Sequence, residues 1–150
     1  RGNPYGFADE DELHGFLLAN WAKIELFKDL DKMAKRNLGG PVGGRDGELD
    51  ILAKHKFSGD IYVIELKDSA QASANHTVVD QLSRYMSHPE IASMCERGTK
   101  VHGWVIAQDI DFKSAQAIRK SSLPITAFEI QKDSGMVNFE TVAWSENQVF

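Results

Sequence analysis

Between Glu48 and Lys67 the chain carries Asp50 inside one apolar run, LDILA, and Glu65 and Lys67 at the end of a second, IYVIEL and the residue after it. Phe57-Ser58-Gly59-Asp60 between the runs is a turn signal, so the segment predicts a β-hairpin. Side chains alternate across a strand, so Glu65 and Lys67, two apart, share one face. Two carboxylates and an ammonium then stand on adjacent strands, in reach of one another if the register cooperates. Hard divalent cations take oxygen ligands, and phosphodiester hydrolysis needs such a cation beside an activated water. The bland alternative is a surface hairpin with an exposed salt bridge. Against it, Ile61, Val63, Ile64 and Leu66 make a nearly continuous apolar run, the mark of a central strand covered on both faces. A Glu and a Lys at the end of such a strand are costly unless paired or bound to a metal.

The elements around the hairpin read as an α/β arrangement. A helix is expected from about Asp9, with Leu13, Phe16, Leu17, Trp21, Ile24 and Phe27 at helical spacing. Asp9 and Glu12 form a capping-box-like pair at its start. Whether Leu26 to Lys35 continues as helix or turns is open. The glycine-rich segment from Asn37 to Gly47 reads as a loop and lacks the Gly-Lys-Ser/Thr ending of a phosphate-binding loop. After Lys67, a helix is expected from about Thr77 to Ser87, then a short one begun by Pro89. Val101 to Ala107 predicts an internal strand, and Asp111 caps a helix through Ala115, Ala117 and Ile118. Ile125 to Ile130 and Met136 to Trp144 are the last strands, joined at Asp133-Ser134-Gly135. The fold class is a mixed central β-sheet flanked by helices, with a parallel crossover late in the chain.

The 150 residues suit one domain with a proper core. No apolar run approaches membrane-spanning length, and no signal-peptide pattern is present. The start at Arg1, followed by a linker-like stretch with Gly2, Pro4 and Gly6, suggests a domain cut from a longer protein. Cys95 stands alone and reads as a small buried hydrophobe in a helix. Its lack of a disulfide partner points to a reducing cytoplasm. The net charge of −5 weighs against a general nucleic-acid binder. Basic residues do cluster locally, with Lys32, Lys35, Arg36 and Arg45 before the hairpin and Lys54, His55 and Lys56 within it, and a solvated face explains them equally well.

A helix, then Gly-Glu-Leu-Asp-Ile-Leu, then Ile-Glu-Leu-Lys, then a helix carrying Gln81-Leu82-Ser83-Arg84-Tyr85, resembles the PD-(D/E)XK nuclease superfamily. Within it the chain is most similar to the catalytic domain of NucS-like (RecB-like) endonucleases, over roughly Asp9 to Ile130. Gly103-Trp104-Val105-Ile106-Ala107 fits the same pattern. The resemblance implies a restriction-endonuclease-like fold and a Mg²⁺- or Mn²⁺-dependent deoxyribonuclease acting on DNA. Asp50 and Glu65 would hold the metal, with the carbonyl of Leu66 between them. Lys67 would orient the attacking water and stabilise charge on the phosphate. Gln81 and Tyr85 match the Gln-x-x-x-Tyr element that borders the active site in relatives. Glu12 stands where many members place an acidic residue on the first helix. Each of the last three has a plainer reading: Glu12 as a cap, Tyr85 as core, Gln81 as a satisfied polar side chain. Glu48 is either a further ligand or a solvated neighbour, and the neighbour is favoured. NucS-like enzymes carry an extra N-terminal domain for dimerisation and single-strand binding, to which nothing here corresponds. The biological setting (repair, restriction, phage defence or a toxin), a homodimer and further domains in a longer protein are left open. The rival class is a catalytically inactive nuclease fold that binds nucleic acid or a protein. A metal-free acid–base hydrolase gives Lys67 no role.

Overall fold

The computed structural model describes residues 6–33, 50–68, 72–133 and 135–146. Residues 1–5 of the expected linker, the glycine-rich segment, Lys35, Arg36, Arg45, Glu48 and Ser134 lie outside them, whereas Gly6 and Phe7 are buried, so the folded part begins earlier than the linker reading expects. Helix α1 spans Glu10–Ala19 and is followed by two 3₁₀ turns, Trp21–Lys23 and Glu25–Phe27. Then come β1 (Leu30–Lys32), β2 (Ile51–His55), β3 (Ile61–Lys67), α2 (Ala72–Met86) and α3 (Pro89–Ala92). The chain ends with β4 (Val101–Ala107), α4 (Phe112–Arg119), β5 (Ile125–Asp133) and β6 (Met136–Trp144).

The strands form one six-stranded mixed sheet in the order β1-β2-β3-β4-β5-β6. The expected hairpin is there: β2 and β3 pair antiparallel, with Ile51 opposite Ile64, and Gly59 closes the turn at φ +79°. β3, β4 and β5 run parallel, and β6 returns antiparallel to β5. Alternation along β3 sends Ile61 and Val63 into a core beneath α2 and α4, and Ile64 and Leu66 into a second core beneath α1. β3 is therefore a central strand buried on both faces, as its apolar run predicts.

Several elements differ from the sequence expectation. The first helix does not run on to Phe27. Asn20 donates its side-chain amide to the Phe16 carbonyl (2.9 Å), which its own backbone N–H also uses, and Ile24 is extended. Such side-chain competition with the helix ladder ends the element early. The apolar residues beyond it are held by 3₁₀ turns instead, with Trp21 stacked on Phe27 at 4.1 Å between centroids. The Trp21 indole N–H donates to the Leu30 carbonyl (2.8 Å), which anchors β1 along β2 as an unforeseen edge strand. α2 begins at Ala72 rather than near Thr77. Cys95 lies just past α3 rather than in a helix and is only half-buried.

α2 lies unusually close to β4. A Cβ built on Gly103 would stand 2.5 Å from Met86 Sδ and 3.0 Å from a Leu82 methyl. Glycine is what lets this helix, with Gln81 and Tyr85, sit down against the strand. Among the described residues no helix is long and apolar enough to cross a membrane.

Candidate active site

Asp50 immediately precedes β2, and Glu65 and Lys67 close β3. Continuing the register that sets Ile51 opposite Ile64 brings Asp50 beside Glu65. Asp50 Oδ2 accepts the Leu66 main-chain N–H at 2.8 Å, so the strand backbone aims this carboxylate. The Asp50 and Glu65 carboxyls are close enough to share a hydrogen bond, which needs a proton on one of them. Glu65 is only 3% exposed, and its Oε1 has no hydrogen-bond partner.

Burial pushes the Glu65 carboxyl well above the ordinary carboxylate range. The charge of Asp50 pushes the same way, Lys67 opposes it, and the Asp50 hydrogen bond and the charge of Glu10 add to the rise. Burial likewise raises Asp50, against the pull of the Leu66 N–H, His14, the Glu65 bond and Lys67. Glu10 is raised by burial and by Asp50, with Lys67 opposing and Asp11 and Asp68 adding. Three carboxyls and one ammonium thus share a partly dehydrated corner at the end of β3. Negative charges crowded this way favour protons or a cation.

The first helix supplies a residue the sequence reading did not single out. Glu12 accepts the Ala8 N–H (2.7 Å) and offers its own N–H to Asp9 Oδ1 (2.8 Å), so its side chain is engaged in the helix cap. The α1 carboxyl that feels Asp50 and Lys67 is Glu10. His14, four residues on, is close enough to act on Asp50. That spacing of four puts Glu10 and His14 on one helical face and was the available signal.

Gln81 Nε2 donates to the Tyr85 hydroxyl at 3.3 Å. Gln81 is 4% exposed and Tyr85 is fully enclosed in the core beneath α2. Alternation along β3 turns Glu65 and Lys67 toward that same side of the sheet. Leu66 contributes its N–H to Asp50, while its side chain is buried beneath α1. A cavity of about 530 Å³ opens elsewhere, between the 3₁₀ turns and β6, with Phe16, Ile24, Leu26, Val137 and Phe139 in its walls. None of the charged cluster lines it.

Among the described residues no group of three or more His, Cys, Asp or Glu side chains is arranged to hold a metal ion. Mg²⁺ asks for less, since it keeps several waters and takes one or two carboxylates with phosphate oxygens. The Asp50–Glu65 pair, with an unpartnered carboxylate oxygen, fits that donor set.

Two solved structures resemble this chain, each at 23% identity and a TM-score of 0.53 over 85% of it. One is EndoMS in complex with dsDNA, and the other is a repair endonuclease from Pyrococcus abyssi. The fold is the one these endonucleases have. It is also the fold implied by the sequence resemblance to NucS-like enzymes. The chain spans about half the length of each, 47% and 50%. No protein-family model matches the chain, and no curated protein does either.

Proposed function

We propose that this chain is the nuclease domain of a Mg²⁺- or Mn²⁺-dependent endonuclease that hydrolyses DNA phosphodiester bonds. The observation that carries the reading is the buried Asp50–Glu65 pair beside Lys67, with Glu65 Oε1 unpaired, in a fold shared with endonucleases. Asp50 and Glu65 would hold the cation, with the Leu66 carbonyl as a further oxygen ligand. When bound, such a cation offsets phosphate charge and makes a water easier to deprotonate. Lys67 stands two residues from Glu65 on the same face, where its ammonium can hold the attacking water and meet the negative charge that grows on the phosphate. Glu10, rather than Glu12, is the α1 carboxyl suited to orient that water. Gln81 and Tyr85 support the wall of the site from α2. A PD-(D/E)XK domain organisation, a cytoplasmic setting and DNA as the partner belong to the same proposal.

The test is incubation of the purified protein with plasmid, linear and single-stranded DNA in Mg²⁺, Mn²⁺ or EDTA. Cleavage is expected only with a divalent cation. Asp50→Ala, Glu65→Ala and Lys67→Ala should each abolish it, a loss of two to three or more orders of magnitude, roughly 3–4 kcal/mol. Full activity in any of these variants, or in excess EDTA, refutes the assignment. DNA binding without cleavage under every metal would favour an inactive nuclease fold instead.

A further inference from the structure

Gln108 is the first residue beyond β4, beside the strand end that sets Lys67 against Ala107. Its side chain grips a distant segment of the chain. Oε1 accepts the Phe7 N–H at 2.6 Å, and Nε2 donates to the Phe7 carbonyl at 2.9 Å. Nε2 also donates to Asp68 Oδ1 at 2.5 Å, and the Gln108 main-chain N–H donates to the Asp68 carbonyl at 3.1 Å. Only a carboxamide has both the acceptor and the two donors this set requires.

Both gripped residues are next to the charged cluster. Asp68 directly follows Lys67. Phe7 stands two residues before Asp9, the N-cap of α1, and three before Glu10. Phe7 is 2% exposed and packs on Phe16, with ring centroids 5.3 Å apart, so its N–H and C=O would be buried without Gln108. We propose that Gln108 is a positioning residue: it locks the start of α1 to the end of β3, and so holds Glu10 and Lys67 in register with Asp50 and Glu65. The proposal rests on the nuclease reading for its catalytic consequence, but not for its structural one.

The side chain bonds to Phe7 and Asp68 rather than to Asp50 or Glu65, so its action passes through the two backbones it joins. α1 keeps its own anchors in Leu13 and Leu17, both fully buried, so loss of the grip should loosen the helix start and leave the fold standing. Partners one step removed from a metal site commonly alter affinity or activity ten- to a hundredfold.

The experiment compares the wild-type protein with Gln108→Ala, Gln108→Glu and the double variant Gln108→Glu with Asp68→Asn. Gln108→Glu keeps the volume but turns a carboxylate oxygen on the Phe7 carbonyl and on Asp68. The double variant restores one donor–acceptor pair, because the asparagine amide can donate where the Asp68 carboxylate could only accept. Three quantities are read: hydrogen exchange at the Phe7 amide, Mn²⁺ affinity by calorimetry, and the cleavage rate with its Mn²⁺ dependence. Both single variants should speed Phe7 exchange by about tenfold or more. They should weaken Mn²⁺ binding and lower turnover by about tenfold or more, with partial recovery in the double variant. If the wild-type protein cuts no DNA, the nuclease reading fails, and exchange with Mn²⁺ affinity still decides the role of Gln108. Exchange, Mn²⁺ affinity and rate per folded molecule within about twofold of wild type in Gln108→Ala would overturn the proposal.

Discussion

Glu65→Gln should make the metal-free protein more stable while removing its proposed chemistry. In the wild-type protein Glu65 is 3% exposed, faces Asp50, and leaves Oε1 without a partner, a placement that becomes most costly once the carboxyl ionises. An acceptor stranded in the interior costs about 1–3 kcal/mol, and more when it is charged. Glutamine keeps the shape, removes the charge and brings an NH₂ that can donate to Asp50. A gain of about 1–3 kcal/mol is therefore expected without metal. For a domain of this length each kcal/mol moves the melting temperature by about 2–4 °C, so the midpoint should rise by about 2–12 °C. The pH dependence has a definite sign. The folded carboxyl lies above its unfolded value, so the folded state holds the proton more tightly. That contribution is complete below the unfolded carboxylate range and is lost as pH rises through the raised folded value. The advantage of Gln should thus grow as pH rises through the raised folded value of Glu65 and shrink as pH falls below it, where the wild-type carboxyl carries its proton. Thermal unfolding by circular dichroism in EDTA, followed across a pH series, measures it. A variant less stable than wild type at the alkaline end, or a gap that does not change with pH, would refute this account of the buried pair.

Three further outcomes are expected. Asp50→Asn should weaken Mn²⁺ binding, whereas Lys67→Ala should spare or strengthen it by removing a competing positive charge; calorimetric titration separates them, and equal losses would mean that Lys67 organises the site. Glu10→Ala should lower cleavage about tenfold or more with little change in melting temperature, whereas Glu12→Ala should cost about 0.5–2 kcal/mol of stability through the cap and leave the rate per folded molecule unchanged. Gly103→Ala should destabilise by about 1–3 kcal/mol in denaturant unfolding, because the new methyl meets Met86 and Leu82 and lifts α2 from β4.

The parts of the fold that were legible in the sequence are those that local chemistry decides. The hairpin followed from two apolar runs about a Gly-containing turn, β4 from VHGWVIA, and α4 from the Asp111 cap, whose side chain does accept the Ser114 N–H. That Asp50 and Glu65 lie on adjacent strands was legible from the two apolar runs, but which residue stands opposite which is set by the register, and only the structure supplies it. What was hidden depends on contacts between distant residues. Apolar spacing continues smoothly from Leu13 to Phe27, so the break at Asn20 shows only when its side chain is seen bonding Phe16. β1 has three residues and no periodicity, and exists through β2 and the Trp21 indole. Glu10 and Glu12 look alike in an acidic first turn; the spacing of Glu10 to His14 is the one sequence signal that separates them, and the packing of α1 decides which carboxyl turns inward. Gln108 gave no signal, since its partner Phe7 is 101 residues away.

The spatial order of the strands is the same as their order along the chain. The sheet can therefore grow at one margin as the polypeptide leaves the ribosome, with no strand inserted between two already paired. Each newly made strand is for a time the open margin, offering unpaired backbone groups to any passing chain. The most hazardous interval follows synthesis of IYVIELK, which is apolar on both faces and must wait for β4. Helix α2 is made in that interval and lies against β3, so the nascent sheet has a cover for one face of its stickiest strand before the next strand arrives.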